Sequence, residues 1–442
     1  MTRAAAIEPA IGDLTSRLAG FAGAPCSAPE SVRAVARLSA LDWVAVGLAG
    51  REEPVARILR DLAAEEGGTE QSSLFAAPRK APARMAALVN GATSHALDYD
   101  DTHFAHIGHP SVAVFPAALA VAEAERASLP RMLEAALVGM ELSIRVGLWL
   151  GRSHYQAGFH QTATAGAFGA AAAAARLMRL ETAQTALCLG LVATRAAGLK
   201  AQFGTMGKPY HAGMAAAAGV EAAQLVRAGF IANPDALEGP FGFAATHHGA
   251  ADAGAALEGL GTVWQFETVS HKFHACCHGL HAALEALRGL DVRPDTLARV
   301  VVTTHPRWMS VCNQPEPTTG LGAKFSYSAA VALHLLGHDT ARLESYSDTH
   351  CADPRLIALR DLVEVVPDDT LRETEARIAL HHRGGRIETA QHDLDAPLPL
   401  DAREARVAEK AKGLIGADRT EAVRALLRSD AAASELGDLI RG

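Results

Sequence analysis

A mainly α-helical protein of two domains is what the sequence predicts, and three observations carry that expectation. Apolar residues recur at three- and four-residue spacing through the first half, as in Val32, Val35, Leu38, Leu41 and Val44. Alanine-rich runs at 166–175 and 212–218 suit helices that pack closely through small side chains, while aromatic residues make up only 5% of the chain. At 442 residues the chain is also longer than one hydrophobic core usually organises.

Taken in order, the helical pattern runs from about residue 11 to 227, and strand signals are nearly absent there. It includes apolar segments at 82–97 and 112–124 with a polar interruption between them. Around Thr262 the texture changes. Residues 263–266, 298–304, 363–366 and 376–382 are β-branched or alternating, and the last meets Gly384-Gly385 and 386–390 as a hairpin. Helical patterns at 277–290, 326–336 and 354–362 lie between them. The expected domains are therefore 1–266, all helical, and 267–395, α+β. Helices in 396–442 are expected to rejoin the first domain.

Composition narrows the function. A formal net charge of −8 and the lack of a lysine or arginine stripe argue against nucleic acid as a partner. Six cysteines in so long a chain, two of them the adjacent Cys276 and Cys277, make no disulfide framework and fit a reducing compartment. An acid and a proline near the N-terminus interrupt what a secretory signal needs, and no apolar run is long enough to span a membrane. A soluble, cytoplasmic protein is the expectation.

Four polar islands stand in this apolar sequence, at 95–111, 154–164, 202–211 and 271–281, each just before a helix. Capping alone explains some of their Asp, Thr and Ser residues. In the first, Asp98 and Thr102 are four apart and are expected to share a helical face one turn after His95, with His109-Pro110-Ser111 restarting the chain as the next helix. In the second, His160 precedes the long alanine helix, whose positive end attracts anions. Lys208-Pro209 adds an ammonium to a helix start in the third, which makes Lys208 a natural carboxylate ligand rather than an ordinary surface lysine. The fourth contributes Lys272. Its Cys277 and His281 have a spacing zinc uses, yet no CxxC or HExxH accompanies them, so no metal is expected. Without GxGxxG or a P-loop, no nucleotide cofactor is expected either, and the cofactor expectation is none.

These residues carry a resemblance. Asn90-Gly91, the run from His95 to His103, His109-Pro-Ser, Phe203 to Gly213, Lys272 to His281 and Lys324-Phe-Ser resemble the MmgE/PrpD family, in order, from about residue 10 to 435. That family includes 2-methylcitrate dehydratase, cis-aconitate decarboxylase and iminodisuccinate epimerase. The resemblance implies a large all-helical domain built from both ends of the chain, a smaller α+β lid, a homodimer and catalysis without metal. By motif, Asp98, Thr102, His109, His160, Lys208 and Lys272 fall at polar active-site positions of the decarboxylase, with His103 and His211 beside them. A tyrosine of that enzyme falls at Ser328, next to Tyr327, and the loop from Thr102 to His109 is one residue longer. Both departures weaken a decarboxylase assignment.

The expected function is a metal-independent, dehydratase-like lyase acting on a small polycarboxylic acid at a carbon α to a carboxylate. Lys208 and Lys272 would hold carboxylates, His109 and His160 would pass protons, and Asp98 would orient an imidazole. The alternatives are an epimerase of an amino or imino dicarboxylate, a decarboxylase, or a noncatalytic helical scaffold.

Overall fold

The computed structural model describes residues 12–442, so the N-terminal stretch that bears on a secretory signal lies outside the described residues. The chain divides into two compact units. One takes the residues up to His271 together with Leu414–Gly442, and the other takes Lys272–Gly413.

The first unit is helical throughout: α1 Asp13–Gly23, α2 Glu30–Ala49, α3 Pro54–Glu66, α4 Ala83–His95, α5 Pro110–Ala124, α6 Leu129–Ala157, α7 Gln161–Leu177, α8 Thr182–Ala193 and α9 Gly207–Arg227. Its alanine runs are buried, with Ala170 to Ala175 at 0% exposure. Glycine sets two helix crossings. A Cβ on Gly91 of α4 would lie 2.7 Å from Gly213 Cα of α9, and one on Gly139 of α6 would lie 2.6 Å from the Gly169 carbonyl oxygen of α7. The first crossing matters most for function, because α4 ends at His95 and α9 begins beside Lys208. The C-terminal helices close this unit by backbone bonds from Leu129 N–H to the Ala431 carbonyl, 2.7 Å, and from Ala433 N–H to the Ala127 carbonyl, 3.0 Å.

Residues 263–266 do not form the expected strand. Arg145, fully buried on α6, donates to the carbonyls of Ala256, Glu258 and Val263, and its partner Glu141 accepts the N–H groups of Gln265 and Phe266. The segment's backbone is satisfied by side chains instead of a ladder, and it folds as a short turn of helix, Gln265–Thr268.

The second unit is built on a four-stranded sheet of β1 Leu297–Thr304, β2 Val363–Pro367, β3 Glu375–His382 and β4 Ile387–Asp393, in the order β2-β1-β3-β4. β1 and β2 are parallel, while the β1–β3 and β3–β4 pairs are antiparallel. Alternation buries Val300, Val302, Ala376, Ile378 and Leu380, against which the helix His281–Arg288 packs. The helix Leu400–Ile415 lies largely in this unit rather than rejoining the first, because Arg406 pairs with Glu285. The boundary accordingly falls after His271 and again after Gly413, later than the expected 266 and 395. Among the described residues no helix is long and apolar enough to cross a membrane.

Candidate active site

The first polar island is a loop between α4 and α5, and it does not continue the helix. Asp98 takes a left-handed backbone (φ 51°), which ends helical geometry directly after α4. Asp98 and Thr102 therefore share no helical face. Thr102 instead exchanges backbone hydrogen bonds with Ser270, at 2.9 and 2.8 Å. As expected, His109 caps α5 with Pro110 at its first position.

Asp100 is the centre of the arrangement. Its carboxylate is buried and accepts from His95 Nδ1, 2.9 Å, and from His109 Nδ1, 2.7 Å. Burial pushes its pKa up, but the charges and hydrogen bonds of His95 and His109 outweigh that and hold it well below the usual carboxylate range. An ionised carboxylate only accepts, so both rings carry their proton on Nδ1 and turn Nε2 outward. His95 Nε2 is buried with no hydrogen-bond partner. His109 Nε2 lies 3.7 Å from Asp98 Oδ1, and Asp98 Oδ2 lies 2.7 Å from the Lys208 ammonium. The role expected of Asp98, orienting an imidazole, thus falls to Asp100, while Asp98 is the counter-ion of Lys208.

A second pair of imidazoles adjoins the first. His160 caps α7, and its Nδ1 is 3.1 Å from His211 Nδ1 of α9, so one ring donates and the other accepts. The rings of His95 and His160 stand 6.1 Å apart, and Phe203 meets His160 edge-on at 4.9 Å. Burial, then Lys208 and the neighbouring imidazoles, hold His160 well below the ordinary histidine range, and burial brings His211 down to about 4. Both rings are neutral near pH 7. Thr162, in the first turn of α7, accepts the His109 N–H at 3.0 Å and ties the two pairs together.

Of the residues expected to act, Asp98, His109, His160, Lys208 and His211 come together in this unit. His103 is otherwise engaged: Nε2 donates to the Gln265 carbonyl, 2.9 Å, and Nδ1 accepts the His106 N–H, 3.2 Å, so the ring stitches the loop down. Lys272, Tyr327 and Ser328 belong to the second unit. Lys272 is buried there and helps lower His281. Tyr327 Oη donates to the Gly279 carbonyl at 2.6 Å and pairs with Thr304 Oγ1 at 2.9 Å, and Ser328 Oγ donates to the Pro315 carbonyl at 3.0 Å. Sequence reasoning missed His95 and Asp100 as site residues. Their one sequence signal was membership of the same dense island.

Among the described residues, one set of three or more metal-capable groups has its donor atoms close together: His95, Asp98, Asp100 and His109, within 4.8 Å. It fits hydrogen-bonded protons better than a metal ion. The Nδ1 to carboxylate distances of 2.7 and 2.9 Å are hydrogen-bond lengths, shorter than the edge of about 3.3 Å between ligands of tetrahedral zinc, and Lys208 already neutralises Asp98.

The helical unit thus holds a buried carboxylate–imidazole cluster beside a lysine, groups able to take and give protons, and an α+β unit follows it in the chain. The chain matches the MmgE/PrpD N-terminal domain over residues 18–256 and the MmgE/PrpD C-terminal domain over residues 274–425, and it belongs to the MmgE/PrpD family. It is 29% identical to the cis-aconitate decarboxylase-like protein oryM of Aspergillus oryzae over 310 residues, covering 65% of this chain and 64% of that protein. It is 32% identical to cis-aconitate decarboxylase of Homo sapiens over 215 residues, 46% of this chain and 44% of that one. With the Aspergillus terreus enzyme of the same name it shares 31% identity over 229 residues, 48% and 47% of the two chains. The chain thus spans between about two fifths and two thirds of the length of these relatives.

Proposed function

We propose that the protein is a metal-independent lyase that makes or breaks a bond at the carbon α to a carboxylate of a small polycarboxylic acid. The observation that carries this reading is Asp100 bonded to His95 and His109 at once, beside the Asp98–Lys208 ion pair. A carboxylate holding Nδ1–H leaves Nε2 as a base and stabilises the imidazolium that forms when it takes a proton. His109 takes the α-proton. Lys208 exchanges its bond to Asp98 for one to a substrate carboxylate and stabilises the negative charge that develops there. His160 is neutral, so the proton for a departing hydroxyl comes from the His109 imidazolium or the Lys208 ammonium. Assembly as a homodimer is part of the proposal, and Lys272 keeps its place in it as an anion ligand of the second unit.

Dehydration of a hydroxy acid is the favoured reaction. Decarboxylation is the second reading, supported by the names of the relatives, and it would use the same imidazolium to protonate the carbon that loses carbon dioxide. Incubation with citrate-like and aconitate-like acids in deuterated water, followed by NMR, separates them. A new vinyl signal without gas marks dehydration, and carbon dioxide with deuterium at carbon marks decarboxylation. A configurational change alone would point to an epimerase. No exchange with any of these acids would overturn the proposal.

A further inference from the structure

The second unit holds a cavity of about 650 Å³. Its walls include Phe273, the 337–342 loop and the helix Leu400–Ile415, and its volume is that of a small-molecule site. We infer that this cavity is a further anion site, built for a small molecule bearing two or more phosphate or carboxylate groups and made from none of the residues of the Asp100 cluster.

Charge is the first ground. Arg288, Arg342, Arg406 and Lys410 line the cavity against only Asp339 and Glu409, in a chain whose net charge is −8. Glu285 stands behind the wall and is shared by His274, Arg406 and Arg288. It accepts from His274 Nε2 at 3.0 Å and from Arg406 Nη1 at 3.1 Å, and it lies 3.8 Å from Arg288. Burial would raise the Glu285 pKa, yet the hydrogen bonds and charges of His274 and Arg406 hold it well below the usual range.

Preorganisation is the second ground. Arg406 is stacked over the Phe273 ring at 3.9 Å, and Lys410 keeps only 5% of its surface exposed, so these two cations are held in the wall before any ligand arrives. Arg288, 3.8 Å from Glu285, and Arg342, 3.5 Å from Asp339 and donating to the Gly413 carbonyl at 3.3 Å, keep 58% and 50% of their side-chain surface exposed and can turn from these weak partners to a ligand. A guanidinium fork matches phosphate and carboxylate oxygens alike.

Calorimetric titration of the intact chain tests the site, with pyrophosphate and citrate as separate probes in phosphate-free buffer. The R288A/R342A double variant and K208M are titrated in parallel. Binding of either probe that weakens about tenfold or more in R288A/R342A but is unchanged in K208M supports the site and tells which anion it prefers. No heat with either probe at millimolar concentration overturns it, as does binding that K208M abolishes and R288A/R342A leaves intact. If the double variant fails to fold, R342E, which changes one exposed side chain, must weaken the same binding or the inference falls. The outcome is independent of whether the Asp100 cluster catalyses anything.

Discussion

Two histidine-rich islands of this chain, 95–111 in the first unit and 271–281 in the second, look alike in sequence and end differently. In the first, Asp100 serves two imidazoles and no permanent cation. In the second, His274 spends Nδ1 on Thr340 and Nε2 on Glu285, and Glu285 also holds the guanidinium of Arg406. A carboxylate shared only with imidazoles can gain or lose proton partners near neutral pH, whereas one fixed by arginine cannot. The number of histidines therefore says little about where acid–base chemistry sits. What the neighbouring carboxylate is bonded to says more.

The sharpest way to break this contrast is to remove its hub. Asp100→Asn presents an amide that can accept from one imidazole but not from both as a charge, and loss of an equivalent orienting carboxylate costs up to about 10⁴ in turnover. Steady-state rates on whichever acid is turned over give the number. His109→Gln should lower turnover by about 10² to 10⁴, with loss of substrate α-hydrogen exchange in parallel. If both His109→Gln and His160→Gln exchange at the unsubstituted rate, these imidazoles are structural. Lys208→Met should act on binding, raising KM by about tenfold to a hundredfold, because Asp98 is then left without its counter-ion and the substrate loses one charge-assisted hydrogen bond. His274→Gln, in the other island, should leave turnover within about threefold and cost roughly 1–3 kcal/mol of stability in denaturant unfolding.

The smallest expected effect is a pH slope in stability. Burial brings His103, His154 and His211 down to about 4 and His106 down to about 3. Between those values and about 6.5 the folded protein binds fewer protons than the unfolded chain, so these groups lose stability as the pH falls through that window. Asp101 opposes them. Burial, reinforced by Asp42, brings it up to about 7, so the folded state keeps a proton that the unfolded chain releases above about 4. Its contribution declines as the pH rises toward 7. The imidazoles that burial lowers, His160 and His281 among them, outnumber the carboxyls that it raises, Asp101, Glu141, Glu238 and Asp395, and the thermal midpoint should fall between about pH 6.5 and 4.5, more steeply in Asp101→Asn. A midpoint flat across this range would contradict these burial effects.

Much of the fold was legible because it rests on local pattern. Helical spacing, the alanine runs, the 376–390 hairpin and the cap at His109 all came from neighbours in sequence. The site was legible as a region, and the structure brings Lys208, His109 and His160 together there. Which carboxylate mattered was not. Asp98, Asp100 and Asp101 stand within four residues, and their directions follow from the left-handed turn at Asp98 and the complete burial of Tyr99, which no spacing rule encodes. The mistaken strand at 263–266 and the misplaced helix 400–415 share a cause. Each is decided by a buried ion pair or hydrogen bonds to residues more than 100 positions away, Glu141 and Arg145 in one case and Glu285 in the other.

The claim that one carboxylate sets two imidazoles as bases is tested most directly by ¹⁵N NMR of protein labelled at histidine, with the His95 and His109 rings assigned by substitution. As the pH is raised, both rings should keep the proton on Nδ1 and present an unprotonated Nε2, and both should lose that preference in Asp100→Asn while the remaining imidazoles stay unchanged. Rings found protonated on Nε2, or a preference that survives Asp100→Asn, would contradict the account.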